Sequence, residues 1–210
     1  MISPSTRSKR KFSAALVAGI LLAGGSSIAT ANTAGAQGTP TCNGLAVTIT
    51  AVAGQPTDGT EGDDVIIGTN GPDEINGRGG NDTICGLAGE DTLRGAAGQD
   101  WINGGAARDF IFGGDSHDTL FGGEGWDRMF GGSGRDDMDG GNGNDFMRGN
   151  GWADVMSGGR GADNLNGGLA DDTLSGGAGD DELRGSRGVN TCFDPDPATI
   201  NGGCDINNFG

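Results

Sequence analysis

From Gly59 to Arg184 the chain runs in consecutive blocks of nine residues, fourteen in all, without insertion or deletion. The first block reads GTEGDDVII, the eighth GGEGWDRMF and the fourteenth GGAGDDELR. Position 1 is Gly in all fourteen, position 4 is Gly in ten, position 6 is Asp in all fourteen, and position 8 is always Ile, Leu or Met. A block with one apolar residue cannot bury it alone, so a period this strict points to units that bury that residue by stacking on their neighbours. A fifteenth block, GSRGVNTCF, carries Asn190 where Asp should stand, and we read it as the end of the array.

Only the period rescues the composition. Gly (46) and Pro (6) make up about a quarter of the 210 residues, which excludes a helical bundle. Leu, Ile, Val and Phe together are just under 18%, and with a net charge of -16 such a chain is ordinarily too polar to collapse. Within a block, the glycines permit positive φ and close backbone approach, so positions 1 to 6 read as a tight turn. Positions 7 to 9 leave room for a very short strand, with position 8 inward and positions 7 and 9 outward. Stacking then aligns one apolar column: Ile66, Ile75, Ile84, Leu93, Ile102, Ile111, Leu120, Met129, Met138, Met147, Met156, Leu165, Leu174 and Leu183.

These blocks resemble the glycine-rich nonapeptide GGxGxDxUx of the RTX, or haemolysin-type, calcium-binding family, and the resemblance covers 126 of the 210 residues. It implies an all-β fold, a right-handed parallel β-roll in which two blocks make one coil, hence about seven coils with short caps. It also implies Ca2+ held between stacked turns by Asp carboxylates and backbone carbonyls. Two blocks per coil put Asp residues eighteen apart above one another, in two columns. One holds Asp64, Asp82, Asp100, Asp118, Asp136, Asp154 and Asp172, the other Asp73, Asp91, Asp109, Asp127, Asp145, Asp163 and Asp181. Stacked carboxylates repel unless a hard cation that takes six to eight oxygens shares them. Six gaps per column set a ceiling of twelve ions, and the net charge of the repeats points to fewer. Ala107, Ser116, Trp152 and Ala170, which replace Gly at position 4, and the residues other than Gly at position 2 of the first five blocks and at Asn150, mark the turns expected to be weak; those of Asp127, Asp136, Asp145, Asp163 and Asp181 match the pattern best.

The flanks have their own signals. Arg7, Lys9, Arg10 and Lys11 precede an apolar run, Ala14 to Ala23, and two A-x-A sites ending at Ala31 and Ala36, the order of a secretory signal peptide over residues 1–36. The run is about half the length a membrane span needs. Residues 37–58 read as an N-terminal cap, in which Leu45, Val47 and Ile49 alternate like a strand on the first coil; 59–184 are the roll and 185–210 a C-terminal cap. The four cysteines follow the signal, and an exported chain oxidises them; of three pairings we favour Cys42 with Cys85 and Cys192 with Cys204. No C-x-x-C occurs to hold zinc.

The acidic balance, 29 carboxylates against 13 Lys and Arg, argues against nucleic acid. Enzyme readings also fail: His117 is the sole His and sits at a variable position, there is no G-x-S-x-G or H-E-x-x-H, and about 22 residues between signal and first block leave no room for a catalytic domain. Phe110, Phe112, Phe130 and Phe146 fall at outward positions of one sheet and form a candidate partner surface. The expectation is a secreted, extracellular, non-enzymatic protein that binds several calcium ions and folds on binding them. The alternative is a surface or matrix adhesion module in which calcium is only structural.

Overall fold

The computed structural model describes residues 40–195, 199–200 and 203–205. The expected signal segment lies outside them. Two parallel sheets, one of nine strands and one of ten, face each other as a β-solenoid of about eight turns. No helix occurs among the described residues, and so none long and apolar enough to cross a membrane. Successive strands alternate between the sheets, and within each sheet the pairing is parallel at a fixed offset of eighteen: Ile111 lies beside Leu93 on one side and Met129 on the other, and Leu120 beside Ile102 and Met138. Two blocks therefore make one coil.

The strands are longer than the sequence pattern indicates. From Glu74–Gly79 to Glu182–Arg187 each takes positions 7 to 9 of one block and positions 1 to 3 of the next, six residues in all, as in Thr92–Ala97 and Phe110–Asp115. The glycine pattern concealed this because position 2 has positive φ inside the strand, at 78° for Arg78, 83° for Leu87 and 110° for Gly123. Such a residue bends a strand without ending it. The corners are correspondingly short, positions 4 to 6. Position 4 is also left-handed, with φ of 103° to 148° at its glycines from Gly80 on and 74° to 83° at Ala107, Ser116, Trp152 and Ala170. Left-handed backbone at those four costs roughly 1–2 kcal/mol each, yet the corners close in the same way.

All fourteen position-8 side chains are buried, twelve of them essentially completely, and together they form one continuous core. At about 1.5–3 kcal/mol per fully buried Leu, Ile or Met, this column is the main apolar contribution to stability. Positions 7 and 9 are exposed or half-buried, as alternation requires, except for the buried Thr83 at position 7 of the third block.

The expected N-terminal strand is instead a two-residue hairpin, Thr41–Cys42 against Leu45–Ala46, followed by Ile49–Thr50. Leu45 stays exposed; Ile49 alone of the three expected residues packs on the core, where Ile49–Thr50 pairs with Val65–Ile67. At the other end, residues 185–193 are built like the blocks before them. Cys192 takes position 8 beside Leu174, and the strand Asn190–Phe193 is itself paired by Cys204–Asp205. Both favoured disulfides are present: Cys42–Cys85 ties the hairpin to the strand Thr83–Ala88, and Cys192–Cys204 closes the C-terminal loop.

On the nine-stranded sheet the four expected Phe side chains adjoin. Phe112 and Phe130 stack at 5.2 Å, Phe130 and Phe146 meet at 6.0 Å, and Arg128 lies between Phe110 and Phe146 at 5.9 and 5.7 Å from their rings.

Candidate metal centre

Every Asp expected to carry function is buried. The fourteen position-6 residues from Asp64 to Asp181 are 0 to 7% exposed, although nothing hydrophobic about Asp would place it there. The corner turns each carboxylate inward, where it reaches across to the preceding coil. The Oδ1 of Asp82 accepts a hydrogen bond from the Asp64 amide at 2.9 Å, and that of Asp91 from the Asp73 amide at 2.8 Å. The same bond, 2.8 to 3.0 Å, repeats at every step of eighteen up to Asp181, so the two expected columns are two ladders. Asn190 continues one of them: its Oδ1 accepts from the Asp172 amide at 2.8 Å, and its Nδ2 donates to the Gly203 carbonyl at 2.8 Å. Asn190 therefore extends the ladder where the Asp pattern stops: its amide supplies the same acceptor without the charge.

The second oxygen has no such partner. In twelve of the fourteen, Asp82 through Asp181, Oδ2 is buried and accepts no hydrogen bond. A buried carboxylate oxygen without a donor is costly. No Lys, Arg or His is among the buried residues to neutralise it. Burial accordingly pushes the carboxyls from Asp82 to Asp172 above the usual range, against the pull of the amide hydrogen bond and, at most of them, with help from neighbouring Asp charges. Asp82, Asp91, Asp127, Asp145 and Asp172 rise to about 6, Asp163 to about 7, and Asp109, Asp118 and Asp154 to about 8. Asp100 and Asp136 shift the same way.

The invariant Gly at position 1 belongs to this arrangement. Its φ is not positive, so conformational freedom does not explain it. A Cβ on Gly77 would stand on the Oδ2 of Asp82 and 2.8 Å from the Gly95 carbonyl oxygen; one on Gly86 would be 2.5 Å from both the Asp91 Oδ2 and the Gly104 carbonyl oxygen. Carboxylate and carbonyl oxygens thus converge on a space that only glycine leaves open, once per block. The period displayed this glycine but not its reason, because three glycines per block look alike in sequence.

Two carboxylates are handled differently. Thr60, at position 2 of the first block, donates its amide (2.6 Å) and hydroxyl (2.9 Å) to the Oδ2 of Asp64. Thr69 does the same for Asp73, at 2.6 and 3.0 Å. In sequence both appeared only as departures from Gly at position 2.

Among the described residues no three His, Cys, Asp or Glu side chains converge on one point. A cation here would take one or two carboxylates and complete its shell with backbone carbonyls. That donor set, all hard oxygen and carrying the only uncompensated charge in the core, fits Ca2+ and not a metal that favours nitrogen or sulfur.

A search of curated proteins returns no match. The family model described as the RTX calcium-binding nonapeptide repeat (4 copies) matches six segments, the first five overlapping and the last adjoining them: 58–93, 86–120, 94–128, 107–138, 121–156 and 157–192. These segments cover the same coils whose corners hold the two Asp ladders. Block, register and match agree, and the chain belongs to the RTX calcium-binding nonapeptide-repeat family.

Proposed function

We propose that this is a secreted, non-enzymatic protein that binds several Ca2+ ions in the corners of its roll and folds as they bind. The residues that would hold the ions are the position-6 Asp from Asp82 to Asp181, with carbonyls of the position-1 glycines. When bound, Ca2+ supplies positive charge and an oxygen-loving coordination shell inside a core that has neither. The observation that carries the reading is the set of twelve buried Oδ2 atoms without a donor. Export agrees with two disulfides in the described chain and with the basic and apolar signals of residues 1–36.

Ions bind the coil and not the extended chain, so each stabilises the fold by RT ln(1 + [L]/Kd), about 2.7 kcal/mol at a hundredfold excess over Kd. Extracellular calcium modules work near ~10⁻⁴ to 10⁻³ M. The test is isothermal titration calorimetry with CaCl2, and with MgCl2 as control. Several calcium ions per chain, fewer than twelve, with no saturable magnesium binding is the expected result. A chain that takes up no calcium at millimolar concentration refutes the reading.

A second reading, adhesion with calcium as a structural ion, draws on the stacked Phe112 and Phe130, Phe146 tilted against Phe130, and Arg128 between Phe110 and Phe146. This face is unusual in placing arginine at the centre of an aromatic patch on a strongly acidic chain.

A further inference from the structure

The two threonines at the start of the array separate the first coil from those that follow. We infer that this coil closes without an ion, with Thr60 and Thr69 doing for Asp64 and Asp73 what calcium does for the later carboxylates. The inference rests on the calcium reading for those later coils and concerns where the ions begin.

Hydrogen-bond accounting carries it. In the first coil both Oδ2 atoms have donors from the chain. The Oδ2 atoms of Asp64 and Asp73 each take an amide and a hydroxyl from Thr60 or Thr69. From Asp82 on, every Oδ2 in both columns lacks a donor.

The backbone changes at the same place. Position 2 has positive φ in every block from Arg78 to Gly177, and in neither Thr60 nor Thr69. β-branched Thr is poorly suited to positive φ, and in these two blocks the position-2 amide is aimed at the carboxylate. The threonines thus change both the side-chain donor and the direction of the amide.

The same coil is anchored from the other side. Thr48 accepts the Val65 amide at 2.8 Å, Ile49 pairs with Ile66, and Cys42–Cys85 fastens the N-terminal hairpin to the next coil. What results is a preformed sheet edge onto which the ion-dependent coils add, so that the roll grows from its N-terminal end. Growth from an existing edge avoids the cost of starting a solenoid in mid-chain.

The test is hydrogen exchange read by mass spectrometry on the disulfide-intact protein at neutral pH. In chelator, amides of residues 60–76 should be protected ~10-fold or more over those of residues 100–184, and calcium should bring the latter up to match. The Thr60→Gly/Thr69→Gly variant should lose the chelator-state protection, regain it in calcium and bind more calcium per chain than wild type. Thr60→Ser/Thr69→Ser, which keeps the hydroxyls, should behave as wild type. Residues 60–76 exchanging in chelator as fast as the rest, or the Gly variant keeping its protection there, overturns the inference. Later coils already protected in chelator would instead overturn the calcium reading, and the Gly and Ser variants would still decide what the threonines do.

Discussion

One Asp per block meets three demands: its Oδ1 accepts the amide of the coil before it, its carbonyl accepts the amide one residue past the Asp of the coil after it, and its Oδ2 faces the glycine space. Asp109 illustrates all three, with Asp91 N to its Oδ1 at 2.8 Å, Arg128 N to its carbonyl at 2.8 Å, and an Oδ2 without a donor beside Gly104. The sequence made the residue unmistakable and left its direction open, since a turn Asp can as readily face water. Inward placement yields a pH prediction. Burial raises the folded-state carboxyls, to about 6 for Asp82 and about 8 for Asp118, above the unfolded value near 3.8. Without metal, the protonated form is therefore the one the fold favours. The stabilising contribution is complete below about pH 4 and is lost as pH rises through 6 to 8. Far-UV circular dichroism in chelator should show more β-structure at pH 4 than at pH 8. Equal β-structure, or more of it at pH 8, contradicts inward, uncompensated carboxylates.

At the scale of the strand, alternation gave the core correctly: position 8 is buried in every block, and positions 7 and 9, Thr83 apart, are exposed or half-buried. Strand length was less legible. Left-handed residues such as Leu87 and Ala96 look like turn signals, yet here they sit within six-residue strands. The N-terminal flank misled for a related reason. Leu45, Val47 and Ile49 alternate, but Asn43 and Gly44 take positive φ and turn the chain into a hairpin, leaving Leu45 exposed. Pairing the cysteines was within reach because the array fixes how far each end lies from its neighbours. The strand-scale prediction concerns Leu120, which is fully buried and flanked in its sheet by Ile102 and Met138. Leu120→Ala should cost about 2–5 kcal/mol of calcium-loaded stability, measured by chemical denaturation. A loss below about 1 kcal/mol would mean that the apolar column is loosely packed.

For the molecule as a whole, the period pointed to stacked units and the resemblance it carries implied a parallel roll; the structure has about eight turns where the repeats alone imply about seven. The difference comes from flanking segments that carry no repeat: Ile49–Thr50 and Thr57–Asp58 at one end, and Thr199–Ile200 and Cys204–Asp205 at the other. They pair through backbone hydrogen bonds, which any sequence can make and no motif announces. The distribution of charge is also a property of the whole. Acid fills the corners from inside, while arginines stay outside, as in the surface pairs Arg78–Asp58 and Arg108–Glu90. Exposed pairs of this kind contribute about 0–1 kcal/mol and cannot offset twelve unsatisfied buried carboxylates. On the function proposed above, an external cation does so. Far-UV circular dichroism of the protein, titrated with CaCl2 from chelator to about 10 mM at neutral pH with MgCl2 as control, tests it most directly. The account predicts a cooperative gain of β-structure with calcium alone, starting from a chain ordered only near its first coil. Full β-structure in chelator, unchanged by calcium, would contradict it.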